Sequence, residues 1–173
     1  QNKSIYLTLD FEEDGGTASL RKAYLCHERS KDFIIFVKKN QLKVTLFIAS
    51  HILDEYPELI KPYLLEKNLF QFELHSYDHS ATFLSVDEQI NNINRGIKSF
   101  QNFFGKLPQI YRAPNGIINI KILKYLEYRG IHFSSSFFPA YFPGRFNNLH
   151  IPQHPFKIKA MEMTEIPFSV TRN

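Results

Sequence analysis

The sequence of 173 residues has no tryptophan, one cysteine and only seven glycines, and each scarcity excludes a class of protein. A single cysteine, Cys26, cannot form an internal disulfide or supply a cysteine-rich zinc module. Few glycines and a hydrophobic fraction of 43% exclude collagen-like and disordered chains. No apolar run approaches the ~20 residues that a transmembrane helix needs, so we expect no membrane-spanning segment.

Long runs of basic residues are also missing. Lys and Arg number 21 against 17 Asp and Glu, which gives a net charge of +4 at pH 7. This mild surplus attracts anions weakly, and we predict no nucleic-acid partner. The chain begins with Gln1 and shows neither a signal peptide nor an anchor, so the location stays open with the cytoplasm favoured. Its length fits a single domain over residues 1–173 and leaves the oligomeric state open.

Strand patterns alternate with helix patterns along the chain. Strands are predicted over 4–10, 44–49, 70–74, 109–112, 131–134 and 164–170, and helices over 32–40, 56–68, 86–104 and 118–129. The helix that begins after Ser85 has the clearest signals, namely a capping box with Glu88 and a closing glycine at Gly105. Residues 135–159 are rich in proline and are predicted to form a long loop.

This alternation predicts an α/β fold with a parallel sheet covered by helices. A complete eight-stranded (β/α) barrel takes about 250 residues, so we expect a distorted or incomplete (β/α) barrel with about six to seven parallel strands. In such folds the loops after the carboxyl ends of the strands carry the chemistry.

Three clusters of polar residues follow predicted strands. Asp10 and Glu12 come after the first strand, and residues two apart in an extended segment point the same way. Taken alone, this acidic loop fits a solvated surface equally well. Arg112 follows the fourth strand at a turn with Pro114 and Gly116, and a buried arginine there is expected to pair with a carboxylate such as Asp10 or Asp78.

His75 and His79 form the remaining cluster, after the third strand. Four residues apart on a helical turn, two imidazoles face one side and can bind one metal ion, provided that a third ligand comes from elsewhere. Two histidines and a carboxylate leave coordination positions open, as a hydrolytic metal site requires. An iron oxygenase uses the same donors, but its usual jelly roll conflicts with the alternation of strands and helices.

These clusters fall into motifs in a recognisable order. Thr8–Glu12 (TLDFE) resembles a D-x-D/E motif, His75–His79 (HSYDH) matches H-[ST]-x-x-H, and Arg112–Gly116 (RAPNG) matches R-x-P-x-G. Weaker similarities at Ser134–Pro139 and Glu165–Ser169 extend the match over nearly the whole chain. In these motifs the sequence resembles the polysaccharide deacetylases, also known as the NodB homology domain or carbohydrate esterase family 4.

The resemblance implies a metal-dependent hydrolase that removes acetyl groups, most often N-acetyl, from a sugar of a polysaccharide, oligosaccharide or glycolipid. It implies that Glu12, His75 and His79 hold a divalent metal ion, most often zinc, that Asp10 is the general base and that Arg112 orients Asp10. The alternative is a catalytically impaired glycan-binding domain that keeps this fold.

Four further residues are expected to contact the acetylated carbohydrate. Tyr77, Pro114 and Asn115 lie within the motifs, and Phe137 begins a run of aromatic residues in the 135–159 loop. Aromatic rings stack well on the apolar faces of sugar rings, although the same residues could simply cap the barrel.

The sequence departs from the family pattern at four points. Glu12 replaces the more common aspartate, so Glu13 or Asp14 is an alternative metal ligand. Asn115 replaces an aromatic residue, and Ser134 stands where the family often has aspartate. The late histidine that serves the family as general acid has no clear counterpart before Asn173, so we expect the natural chain to continue.

The remaining histidines carry no motif. His150 and His154 lie in the proline-rich loop and are expected to be exposed rather than to replace the missing general acid. His27, His51 and His132 are expected to be surface or packing residues.

Overall fold

The computed structural model describes residues 5–14, 24, 27 and 30–170, and it is built around one sheet of seven strands. Cys26 lies outside the described residues. In chain order the elements are β1 (Leu7–Phe11), α1 (Ser30–Lys39), β2 (Val44–Ile48), α2 (His51–Glu55), a 3-10 turn (Pro57–Leu59), α3 (Lys61–Leu64), β3 (Phe70–Leu74), α4 (Val86–Phe104), β4 (Ile110–Tyr111), a 3-10 turn (Pro114–Gly116), α5 (Ile120–Tyr128), β5 (Phe133–Ser134), β6 (Tyr141–Phe142), β7 (Phe146–Asn147), β8 (Phe156–Lys157) and β9 (Thr164–Glu165).

The strands of this sheet follow the order β1-β2-β3-β4-β5-β9-β8. Every neighbouring pair is parallel except β8 and β9, and β6 pairs with β7 in a separate antiparallel hairpin. Within the described part of the chain β1 and β8 do not pair, so the sheet stays open. The predicted α/β fold, an incomplete (β/α) barrel, is confirmed, and the parallel pairing excludes a jelly roll.

Helix α4 forms where its sequence signals predict. The Ser85 hydroxyl accepts from the backbone N–H of Glu88, whose side chain accepts from the Ser85 backbone, and Gly105 ends the helix at φ 68°. The inner face of α4 buries Ile93, Ile97 and Phe100 against the sheet. This helix therefore supports the carboxyl end of β3, where the histidine cluster begins.

Two expectations for individual segments of the chain are wrong. The helix predicted over 56–68 is divided into a 3-10 turn and the short α3, because Pro62 lacks the N–H that a continuous helix needs at this position. Residues 135–159 are not purely loop, since they contain β6, β7 and β8. In addition, α2 forms directly after β2 without having been predicted.

No helix in the described ranges has the length and apolar character that crossing a bilayer would require.

Candidate active site

The polar clusters meet at one edge of the sheet. Asp10 lies in β1 and Glu12 directly after it, His75 and His79 follow β3, and Arg112 follows β4. All three strands are parallel, so their carboxyl ends lie at the same edge. Strand topology therefore brings together residues that are about a hundred positions apart in the sequence, such as Asp10 and Arg112.

Glu12, His75 and His79 converge on one point. The Glu12 Oε2 atom lies 3.1 Å from His75 Nε2 and 2.5 Å from His79 Nε2, and the two imidazole Nε2 atoms are 3.1 Å apart. Both histidines are buried, and Glu12 is about one quarter exposed. Glu13 and Asp14, the alternative carboxylates, do not belong to this cluster.

The chemistry of these donors fits a cation. His75 Nδ1 donates to the carbonyl oxygen of Arg112 at 2.9 Å, so in the neutral imidazole the Nε2 lone pair points toward Glu12. Three electron-rich atoms at such short range repel one another unless a proton or a metal ion lies between them. Two imidazole nitrogens and a carboxylate oxygen are a common zinc donor set that leaves coordination positions open.

The pKa values of these groups reflect the same crowding. Burial alone would raise the pKa of Glu12, but hydrogen bonds with His75 and His79 outweigh it and lower the pKa to about 2. For His79, burial lowers the pKa, while the adjacent Glu12 carboxylate outweighs it and raises the pKa. Both shifts thus favour a negative charge on Glu12 next to a positive charge.

The histidines lie on an irregular loop, so the predicted helical turn is wrong. Ser76 has a φ of 61°, and helix α4 holds the loop in place. The side-chain oxygen of Asn92 accepts from the N–H of Tyr77 at 3.0 Å, and its amide nitrogen donates to Asp78 at 2.8 Å. A Cβ added at Gly96 would lie 2.8 Å from backbone atoms of Ser76 and Tyr77, so only glycine allows this approach.

Arg112 pairs with Asp10, which is one of the two carboxylates expected as its partner. Arg112 is buried, and its guanidinium donates to Asp10 Oδ1 at 2.7 Å. The second oxygen, Asp10 Oδ2, faces the histidines at 4.0 Å from His75 Nε2. Asp78, the other expected partner, instead accepts from Ser80 and Asn92.

Two residues that the sequence did not single out as site residues support Arg112. The carbonyl and hydroxyl oxygens of Ser135 each accept from the guanidinium at 2.9 Å. The loop that carries Ser135 is held by Glu165, a fully buried carboxylate that accepts from the N–H groups of Ser136 and Phe137 at 2.8 and 2.9 Å. The weaker family similarity at Glu165–Ser169 was the sequence signal that pointed to Glu165, but it did not predict which groups Glu165 contacts.

The residues expected to bind substrate lie on the loops that carry or support this cluster. Pro114 is buried in its 3-10 turn, and Asn115 is half-buried at φ 58°. Tyr77 is half-buried below the Arg95 guanidinium, which lies 3.9 Å from its ring centroid. Phe137 is half-buried and packs against the hydrophobic core.

The proline-rich loop contributes to a cavity of about 600 Å³ that also reaches Arg112 and Ser135. Phe168 lines this cavity and stacks on Phe138, with ring centroids 3.7 Å apart. His154 lines it too and, like His150, is exposed, as expected for both. His132 is exposed, whereas His27 and His51 are buried.

Comparisons with known proteins agree with this fold. The family model described as "Polysaccharide deacetylase" matches residues 1–134. A Mycobacterium smegmatis protein assigned to the polysaccharide deacetylases has a similar structure, with a TM-score of 0.69 and 19% identity over 95% of this chain and 58% of that one. This chain thus spans less than two thirds of that protein's length. No curated protein matches the sequence.

Two further structures share the fold. The peptidoglycan deacetylase PdaC from Bacillus subtilis has a TM-score of 0.53 and 23% identity over 73% of this chain and 56% of that one. BA3943 from Bacillus anthracis, a pseudoenzyme of carbohydrate esterase family 4, has a TM-score of 0.58 and 18% identity over 75% of this chain and 42% of that one. The match of the family model over residues 1–134, more than three quarters of the sequence, shows that this chain belongs to the polysaccharide deacetylase family.

Proposed function

We propose that the protein is a metal-dependent deacetylase that hydrolyses acetyl groups, most often N-acetyl, from a sugar of a polysaccharide, oligosaccharide or glycolipid. The observation that carries this proposal is the convergence of Glu12, His75 and His79 beside a carboxylate held by a buried arginine. Metal-assisted acetyl hydrolysis needs ligands for a cation and a base next to them, and the residues at this edge of the sheet supply candidates for both.

Glu12, His75 and His79 would hold the divalent ion, which we propose to be zinc. A bound divalent ion of this kind polarises the acetyl carbonyl and lowers the pKa of water. The protein fixes the donors before the ion arrives: His75 is oriented through its Nδ1–H bond to the Arg112 carbonyl. Such outer hydrogen bonds set the tautomer and the ring orientation of a ligand histidine.

Asp10 would act as the general base. Its Oδ1 atom is occupied by Arg112, so Oδ2, which faces the histidines, is the atom available to accept a proton from the attacking water. Arg112 would keep Asp10 oriented, because its guanidinium donates a charge-assisted hydrogen bond to Oδ1. Phe47 and Phe168 pack on the Arg112 guanidinium at 4.0 and 4.3 Å and restrict its movement.

Tyr77, Pro114, Asn115 and Phe137 would contact the acetylated carbohydrate. Tyr77 lies in the loop between the two proposed ligand histidines, and Asn115 follows Arg112 by three residues, and these positions support a role for both in substrate contact. The left-handed backbone of Asn115 sets the direction of its side chain. Phe137 lies on the loop that supports Arg112 and would extend the binding surface away from the cation.

A second candidate function is glycan binding without turnover. One structure that shares the fold, BA3943, is a pseudoenzyme. In this chain, His150 and His154, the residues considered for the general acid, are exposed on the proline-rich loop. A domain that retains the metal site but lacks an acid to protonate the leaving amine would bind acetylated sugars without releasing acetate.

Acetate release from N-acetylglucosamine oligomers, with and without added zinc, tests the proposal. We expect Asp10→Asn to retain zinc and lose at least about 100-fold in rate, because general acid–base catalysis contributes 10²–10⁴-fold. His75→Ala should lose zinc binding. Asp32→Asn, an exposed carboxylate on α1, is the matched control and should behave like the wild type.

The results distinguish a deacetylase from a glycan-binding domain and also test the role of Asp10. Zinc binding without acetate release from any acetylated amino sugar favours the glycan-binding function. Wild-type turnover by Asp10→Asn would refute the assignment of the base.

A further inference from the structure

His51, the first residue of α2, contacts both loops that carry the metal donors. It is fully buried, and its Nδ1 atom lies 3.0 Å from the carbonyl oxygen of Tyr77. The backbone N–H of His51 donates to the same oxygen at 3.0 Å. On the opposite side of the ring, Nε2 lies 3.4 Å from Glu13 Oε2 and 3.2 Å from the Tyr24 hydroxyl.

The chemistry of these contacts fixes the role of each ring nitrogen. A carbonyl oxygen can only accept, so Nδ1 carries a proton and donates it to Tyr77. Nε2 then accepts from the hydroxyl of Tyr24, while the Glu13 carboxylate lies beside this nitrogen without a hydrogen bond to it. Burial, followed by the charge of Glu13, raises the pKa of Tyr24, so this hydroxyl keeps its proton and can donate to the imidazole.

The residues that contact the two sides of the His51 ring lie next to different metal donors. Tyr77 is midway between His75 and His79, and Glu13 is adjacent to Glu12. The hydrogen bond to the acidic loop comes from His27, whose Nε2 donates to the Glu12 carbonyl at 2.9 Å and whose backbone N–H donates to the Tyr24 carbonyl at 2.9 Å. His51 thus holds the histidine loop directly and reaches the acidic loop through Tyr24 and His27.

We propose that His51 is a positioning residue that ties the acidic loop, Glu12–Asp14, to the histidine loop, His75–His79, and so holds the three donors at binding distance. The tie itself is a structural claim, and only its consequence for metal affinity rests on the proposed function. Histidine is suited to this task because its two nitrogens point in different directions from a rigid ring. A residue that only filled space would need neither nitrogen.

Cobalt binding to the complete 173-residue chain tests the consequence for affinity. Titration with Co²⁺ alone, followed by visible absorption, reports both the dissociation constant and the coordination geometry. His51→Phe keeps a ring of similar size but removes both nitrogens, and we expect the Kd for Co²⁺ to rise about 10-fold or more, as is typical when an outer-shell hydrogen bond is lost. His51→Asn keeps a donor near the position of Nδ1 and is expected to recover part of this loss.

A control variant separates a general loss of stability from the loss of the contacts that His51 makes. Leu126→Ala empties a fully buried position in α5 and is expected to lower stability without altering the Co²⁺ spectrum or affinity. The proposal is overturned if His51→Phe binds Co²⁺ like the wild type, or if Leu126→Ala weakens binding as much as His51→Phe does.

Hydrogen exchange of the metal-free protein tests the tie without any metal. In His51→Phe, amide exchange should become faster in both the Glu12–Asp14 and the His75–His79 segments. Faster exchange in only one of them would contradict the tie. Should the wild type bind no Co²⁺, the proposed function fails, while this exchange measurement still decides whether His51 joins the loops.

Discussion

The two halves of the sheet position their functional residues in different ways. β1, β2 and β3 have five residues each and pair continuously, from Leu7 opposite Val44 to Ile48 opposite Leu74. β4, β5, β9 and β8 have two residues each. The donors Glu12 and His75 directly follow the long strands β1 and β3. The backbone hydrogen bonds of these strands therefore fix the positions of both residues.

In the half with short strands, buried carboxylates replace part of the backbone pairing. Glu73 accepts from the N–H groups of Gln109 and Ile110 at the start of β4, and Glu165 accepts from those of Ser136 and Phe137 after β5. Burial raises the pKa of both carboxyl groups. Arg112 is thus placed partly by side chains, besides the bond from its backbone N–H to the Leu74 carbonyl, and single substitutions should disturb it more easily than they disturb the metal donors.

The largest effect is expected from Glu165→Leu. It leaves the buried N–H groups of Ser136 and Phe137 without an acceptor, and each such group costs about 1–3 kcal/mol, so we expect a loss of roughly 2–6 kcal/mol in unfolding free energy. Glu165→Gln retains an oxygen acceptor and should lose less. Urea unfolding measures the stability, and zinc titration should show unchanged affinity if the halves are independent. A lower zinc affinity of Glu165→Gln would contradict the independence of the two halves of the sheet.

A smaller loss is expected from Gly96→Ala in the half with long strands. The added methyl group meets the backbone of Ser76 and Tyr77 at 2.8 Å, and such overpacking costs about 1–3 kcal/mol. Alanine would otherwise favour the helix by roughly 1 kcal/mol, so a net loss isolates the contact with the loop. Zinc affinity should fall together with stability. Lys98→Ala, exposed on the same helix, should change neither.

The stability of the metal-free protein should depend on pH through the donors themselves. The lowered pKa of Glu12 stabilises the folded state above its ordinary value of 4.5, and this contribution is lost as pH falls toward 2. The raised pKa of His79 stabilises the folded state below its ordinary value of 6.5, and this contribution is lost as pH rises through the raised value.

Thermal unfolding in EDTA should therefore show a maximum between about pH 4.5 and 6.5 from these two groups. The additional stabilisation by zinc should grow as pH rises, because the ion displaces the proton. Stabilisation by zinc that does not change between pH 5 and 8 would contradict the assigned donor set.

The smallest effect is expected at the start of α4. Ser85→Ala removes the exposed helix cap and should cost about 1 kcal/mol. The cap lies seven residues before Asn92, so the contacts of the histidine loop should persist and zinc affinity should stay at the wild-type value. A parallel fall in zinc affinity would show that the loop depends on the whole helix rather than on its Asn92–Gly96 segment.

The elements that the sequence predicted well are those with local signals. The capping box and the closing glycine predicted α4, and a largely apolar run predicted β2. Helix 56–68 failed because Pro62 outweighs an apolar period, and β6, β7 and β8 were missed because two-residue strands depend on partners far away in the chain.

The same distinction applies to the site. Positions after parallel strands predicted that the three polar clusters meet, and the family resemblance predicted that Glu12, His75 and His79 come together. Arg112 was expected to pair with Asp10 or Asp78, and it pairs with Asp10. The contacts of Ser135, Glu165 and His51 depend on loop conformation and on burial, which no local pattern specifies. These residues were therefore found only in the structure.

The central claim is that one divalent ion binds between Glu12, His75 and His79. An anomalous difference map from crystals grown with zinc measures this directly. We expect a single strong peak about 2.0–2.2 Å from Glu12 Oε2 and from the Nε2 atoms of both histidines. A peak elsewhere, or no peak at saturating zinc and neutral pH, would contradict the claim.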